Sequence, residues 1–115
     1  AMAQDLHAAG QTLDAVFVLE QALKLKPQNG RSYGNLGAFY LQLRRLPEAE
    51  SHLRRALQLD KVNEAQWSAN LVQSLILQEQ WTQALKQVRS SLRVHPEDER
   101  LRHLLRTLED RQEIR

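Results

Sequence analysis

Apolar residues recur along this chain at intervals of three and four, in blocks of about 13 residues separated by short polar, Pro- or Gly-containing breaks; this is the spacing of helices buried along one side. A short Ala-rich helix is expected over residues 2–9, ended by Gly10. A stronger one follows over 11–25, with Thr12 as its cap and Leu13, Val16, Leu19, Ala22 and Leu23 as its apolar stripe. Pro27-Gln28-Asn29-Gly30 reads as a turn. The next helix, 32–43, sets Tyr33, Leu36, Gly37 and Tyr40 on one side. After the turn Arg44-Arg45-Leu46, Pro47 suits the first turn of a helix over 47–59 that buries Ala49, Leu53, Ala56 and Leu57. Beyond the break at 60–63, helices are expected over 64–77 (Trp67, Leu71, Leu75), 81–94 and 97–113 (Leu101, Leu104, Leu105, Leu108). Glu97, Asp98 and Glu99 suit the positive amino end of the last one. Turns this short force antiparallel neighbours, so the pattern predicts seven helices: three pairs and a terminal helix.

The second helices of these pairs repeat one another. Ala15-x3-Leu19-x2-Ala22 returns as Ala49-x3-Leu53-x2-Ala56 and again as Ala84-x3-Val88-x2-Ser91, in steps of 34 and 35 residues. A fixed period of this length denotes a solenoid of stacked helical units. Gly37, which costs helix propensity in mid-helix, implies that a neighbouring helix approaches closely there.

Composition narrows the function. The 115 residues suit one domain, with 42% apolar and 26% charged residues. The net charge is only +2 despite a pI of 9.3, too dilute for the concentrated basic face that nucleic acid demands. The local cluster Arg44, Arg45, His52, Arg54 and Arg55 reads as a solvated outer face. With no cysteine there is no disulfide, thiolate metal site or cysteine nucleophile, and the cytosol and a bacterial periplasm are equally compatible. His7, His52, His95 and His103 lack metal-ligand spacing, and no Gly-rich phosphate loop is present. No enzyme activity, metal or cofactor is expected. No apolar run has the length of a membrane span and no signal peptide is visible. Ala1 before Met2 reads as a remnant of tag cleavage, and the chain as an excised piece of a longer protein.

Tyr33, Leu36-Gly37, Tyr40, Ala49, Leu53 and Ala56, followed by Trp67, Leu71, Trp81, Ala84, Val88 and Pro96, resemble the tetratricopeptide repeat. Arg44-Arg45 stands where that family usually has Gly, Lys61 where it has Pro, and Val72 and Ser91 replace a Gly and an Ala. The resemblance implies an all-α right-handed superhelix. Its units are a divergent first repeat over 4–29, a repeat over 30–63, another over 64–98 with one extra residue, and a capping helix over 99–115. It also implies a non-enzymatic protein-interaction module whose first helices line a concave groove. The alternative is a scaffold segment of a longer solenoid, self-associating through its ends; buried Leu101, Leu105 and Leu108 would signal a capped end.

Beside the packed side of the 32–43 helix runs a second stripe, Arg31, Asn35, Ala38 and Gln42, matched in the next unit by Gln66, Asn70, Gln73 and Leu77. Gln4 and His7 extend it into the first unit. Asn and Gln both donate and accept, which suits the backbone of an extended peptide, and Arg31 could clamp a carboxylate. The ligand-binding set is therefore Arg31, Asn35, Gln42, Gln66, Asn70 and Gln73, while Asn35 and Asn70 could equally serve as hydrogen-bonding links between helices. Tyr33, Tyr40, Phe39, Trp67 and Trp81 are expected in the core; an exposed Phe17 or Phe39 would mark a partner face.

Overall fold

A computed structural model describes residues 2–114, with side chains from 10 to 111. Among the described residues there are six helices and no strand: α1 (Met2–Leu25), α2 (Gly30–Gln42), α3 (Leu46–Leu59), α4 (Glu64–Leu77), α5 (Trp81–Val94) and α6 (Glu99–Ile114). The expected break at Gly10 is absent, and the helices number six instead of seven. A mid-helix glycine costs about 1 kcal/mol but does not end a helix unless it takes the left-handed cap conformation. No glycine here has positive φ. Thr12 accordingly lies inside α1 and caps nothing; its hydroxyl donates to Gln42 Oε1 of α2 at 3.4 Å.

The other boundaries have local causes. Asn29 caps α2 by accepting from the Ser32 N–H at 3.1 Å, and Asp98 accepts from the Leu101 N–H at 2.9 Å ahead of α6. Both tight turns within pairs use one device. The N–H groups of Arg45 and Gln80 reach back to Tyr40 O and Leu75 O, each at 2.9 Å, which forces Arg44 (φ 60°) and Glu79 (φ 59°) into left-handed backbone. Glycine is the usual occupant of that position, which accounts for the departure at Arg44 noted in the sequence. Between α3 and α4 the Asp60 carboxylate gathers the loop: it accepts from the Asn63 side chain at 2.8 Å, Trp67 Nε1 at 3.0 Å and the Val62 and Asn63 N–H groups at 3.1 and 3.3 Å.

Each helix packs on its sequence neighbours. In addition α2 touches α4 and α4 touches α6, whereas α1, α3 and α5 do not touch one another. The chain therefore curves, with α2, α4 and α6 on the tight inner side. Two glycines permit this. A Cβ on Gly37 would lie 2.5 Å from Leu53 Cγ, so α2 and α3 meet there as the sequence implied. A Cβ on Gly34 would lie 2.3 Å from Trp67 Cε2, so the indole of α4 is seated directly on the α2 backbone. Leu36, Leu53, Leu71, Leu75, Val88 and Leu101 are fully buried, and Leu101 and Leu108 seal the end at α6. Trp67 is 1% exposed. Trp81 is half-buried under the Arg111 guanidinium, 3.7 Å above its ring. The apolar stripe expected of α1 is only partly covered: Val16 is buried, Leu19, Ala22 and Leu23 are half-buried, and Leu13 is exposed. Phe17 is also exposed.

Candidate functional site

The inner face is built from the polar stripes of α2 and α4. Arg31, Gln42 and Gln66 are exposed, Asn35 and Gln73 are half-buried, and Asn70 is 8% exposed. Gln4 and His7 lie outside the residues whose side chains are described. Two of the stripe residues are tied by a side chain of the last helix that lies outside the predicted ligand-binding set. Arg100 of α6 donates through Nη2 to Asn70 Oδ1 at 2.7 Å and Gln73 Oε1 at 2.8 Å. Asn70 is thus an interhelical link. Gln42 is linked as well, accepting from Thr12 of α1.

A signal for Arg100 was present in the period. Arg31, Gln66 and Arg100 stand 35 and 34 residues apart, so extending the stripe by one more step into α6 reaches it. Gln66, Ala69, Arg100, Asn63, His95 and Asp98 line an open hollow of about 440 Å³ between α4 and α6.

The electrostatics of this face are lopsided. Helix α2 contains no acidic residue. The single acid of α4, Glu64, is engaged by Lys61 at 3.4 Å and His95 at 3.1 Å. Asp98 spends one carboxylate oxygen on the cap of α6. Arg100 is held by amide oxygens, which fix the guanidinium without neutralising it, and among the described residues its Nη1 and Nε have no acceptor. Within the basic cluster on the opposite side, Arg54 has a carboxylate partner and Arg55 a neutral one. Arg54 pairs with Glu50 at 3.1 Å, while Arg55 donates to Gln58 at 2.9 Å and lies over the Tyr33 ring. His52 is stacked near Tyr33 and Tyr40. The Tyr40 hydroxyl donates to Glu20 Oε1 at 2.6 Å, and burial together with this hydrogen bond and the carboxylate's charge raises its pKa to about 12. Among the described residues no group of His, Asp and Glu could hold a metal ion, and no helix is long and apolar enough to cross a membrane.

A curved array of antiparallel helix pairs with a polar inner stripe defines an α-solenoid interaction domain. A family model for the tetratricopeptide repeat matches residues 6–69, more than half of the chain, and the chain belongs to that family. Domains of this family are non-catalytic scaffolds that bind proteins and peptides. Solved structures agree in fold. The tetratricopeptide domain of Arabidopsis OM64 has a TM-score of 0.82 at 21% identity, covering 91% of this chain and 86% of its own. The first such domain of Spaghetti (RPAP3), solved with the HSP90 peptide SRMEEVD, has a TM-score of 0.82 at 17% identity over 90% and 81%. The TPR2B domain of yeast Sti1, from a complex with pHsp70, has a TM-score of 0.79 at 18% identity over 94% and 90%. No curated protein sequence matches the chain.

Proposed function

We propose that this chain is a non-enzymatic interaction module that holds an extended, acidic peptide along the inner face of α2, α4 and α6. The repeat units would be 4–29, 30–63 and 64–98, with 99–115 as cap. Asn35, Gln42, Gln66, Asn70 and Gln73 would pair with the peptide backbone, and Arg31 and Arg100 would receive carboxylates. The observation that carries the reading is Arg100: a guanidinium fixed by two neutral amides, with no carboxylate paired to it among the described residues. A cation pre-organised in this way loses little side-chain entropy on meeting a carboxylate. That a structure of the same fold carries the HSP90 peptide SRMEEVD, which has three acidic side chains, fits the same chemistry. The alternative of a scaffold open at its carboxyl end gains less support, since Leu101 and Leu108 are buried there and Leu105 is half-buried.

The test is a titration of labelled SRMEEVD, and of a control in which its acids are replaced by amides, against folded variants. Arg100→Ala and the pair Asn35→Ala/Asn70→Ala should each weaken binding about tenfold or more, roughly the 1.4 kcal/mol of one charge-assisted contact. Arg54→Ala/Arg55→Ala should leave it unchanged. Loss confined to the Arg54/Arg55 pair would move the site to α3, and equal binding of the amide control would remove the carboxylate role.

A further inference from the structure

Helix α5 carries a basic face on the outer side of the molecule that the groove does not use. The chain holds 16 Lys and Arg against 14 Asp and Glu. Helix α5 supplies three of the cations, Lys86, Arg89 and Arg93, and no acid, so the rest of the chain taken together is formally one charge negative. The three follow Thr82 at spacings of four, three and four, which sets them on one side of the helix. All four, and Ser90 beside them, are exposed. Among the described residues none of the three cations makes an ion pair or a side-chain hydrogen bond, whereas Arg54, the matching cation of α3, is paired with Glu50. Thr82, Lys86, Arg89, Ser90 and Arg93 surround an open hollow of about 520 Å³, with Leu85 as its apolar wall. Its place in the stack keeps this face open. One period earlier Pro47, Ser51, Arg54 and Gln58 stay exposed although α4 and α5 follow them, and α3 and α5 do not touch.

We propose that this hollow binds a multiply phosphorylated ligand. Every polar side chain that lines it donates hydrogen bonds and none carries negative charge, so it matches a ligand that is anionic and rich in acceptors. A single anion does not satisfy the three cations. At 1.5 Å per residue, Lys86 and Arg93 are separated by about 10 Å along the helix, so two or more charged groups are needed. A phosphoryl group brings three acceptor oxygens and nearly two charges, where a carboxylate brings two oxygens and one charge, and the forks of Arg89 and Arg93 suit it. The volume falls within the range of small-molecule sites, roughly 300–1,000 Å³. A free polyphosphate and a phosphoinositide headgroup present this same chemistry. The site is separate from the inner face and stands whether or not that face holds an acidic peptide.

The probes are inorganic tripolyphosphate and orthophosphate, each titrated into the 115-residue chain while backbone amide resonances are followed by NMR. Saturable shifts centred on residues 82–93 are expected, with tripolyphosphate bound about tenfold or more tighter than orthophosphate. Arg89→Gln and Arg93→Gln, both at exposed positions, should each weaken tripolyphosphate binding about tenfold, and Arg54→Gln should leave it unchanged. Flotation with phosphatidylcholine vesicles containing or lacking phosphatidylinositol bisphosphate separates the two sources. Capture by the phosphoinositide vesicles, lost in the Arg89→Gln/Arg93→Gln chain, assigns the site to a lipid headgroup; tripolyphosphate binding without capture assigns it to a free ligand. Equal affinity for both phosphates, shifts spread evenly over Arg31, Arg54 and Arg100, or retained affinity in both glutamine variants would reveal a mere counterion atmosphere and overturn the proposal. So would a failure to saturate by about 10 mM tripolyphosphate. A stronger response of α5 to SRMEEVD than to tripolyphosphate would make carboxylate its ligand and also overturn it.

Discussion

Replacing Gly34 by Ala tests the tightest glycine contact among the described residues. Within an isolated helix the change should help by about 1 kcal/mol, since glycine is the costlier residue in a helix interior. Here the new methyl carbon would lie 2.3, 2.4 and 2.5 Å from three ring carbons of Trp67. Carbon atoms settle at roughly 3.5–4.0 Å, so the indole must retreat by more than about 1 Å. It has nowhere to go. The side chain is 1% exposed, and its Nε1–H is fixed to Asp60 Oδ2 at 3.0 Å. Overpacking of this kind costs about 1–3 kcal/mol, and losing a hydrogen bond to a charged acceptor adds about 1.5–3 kcal/mol. After subtracting the propensity gain, a net loss of about 1.5–5 kcal/mol is expected. Urea unfolding followed by tryptophan fluorescence and circular dichroism measures it. The decisive comparison repeats the substitution in a Trp67→Leu background, where the obstacle is gone and Gly34→Ala should become neutral or stabilising by up to about 1 kcal/mol. A Gly34→Ala chain as stable as the parent would refute the seating of Trp67 on α2. An equal penalty in both backgrounds would show that the cost arises elsewhere.

Three other outcomes follow from the same geometry. Gly37→Leu should destabilise by about 1–3 kcal/mol in chemical unfolding, because its Cβ alone would stand 2.5 Å from Leu53 Cγ. Arg44→Gly and Glu79→Gly should each stabilise by about 0.5–1 kcal/mol, seen as a higher Tm, because both residues hold φ near 60° where a side chain is strained; an unchanged Tm would count against left-handed turns. Burial alone would push the Asp60 pKa up, but hydrogen bonds from Asn63, Trp67 and the Asn63 and Val62 backbone outweigh it and hold it below the usual carboxylate value. A depressed folded pKa means that the stabilisation is complete above the unfolded pKa, about 3.9, and is lost as pH falls through the folded value. The stability gap between the parent and Asp60→Ala should therefore be widest near neutral pH and narrow below about pH 4; a gap independent of pH would contradict the network.

The helices that sit between two neighbours were readable from their periodicity, and the ends were not. α4 and α5 begin and end where the spacing of Trp67, Leu71, Leu75 and of Ala84, Val88 places them, because each position in those helices has a packing consequence. Gly10 was read as a stop because a glycine between two polar-apolar blocks has that local meaning. Whether it ends a helix depends on a left-handed cap, and here nothing packs within 4 Å of its Cβ position to demand a bend. The same reasoning separates the two glycines of α2. Gly37 falls within the repeat signature and its role was legible. Gly34 has meaning only through Trp67, 33 residues later, and nothing local announces that contact.

The inner stripe shows how a polar position acquires a second role through tertiary structure. Asn35 and Asn70 occupy equivalent steps of the period, and sequence alone offered each as either ligand contact or interhelical link. Asn70 is nearly buried and spends its carbonyl on Arg100, so its linking role is occupied before any ligand arrives. That bond also decides what the site can select. Were Arg100 balanced by a carboxylate, an incoming acidic group would have to displace it. Held instead by Asn70 and Gln73 through one nitrogen, the guanidinium keeps its remaining donors and its full charge. Discrimination for an acidic peptide over its amide counterpart should then weaken as salt screens that charge. It should weaken further in Asn70→Ala, where Arg100 keeps its charge but loses part of its fixed orientation. Comparing the acidic and amide peptides across ionic strength in the parent, Asn70→Ala and Arg100→Ala separates the two contributions. If Asn70→Ala lowers affinity for both peptides by the same factor, the asparagine contacts ligand backbone and does not act through Arg100.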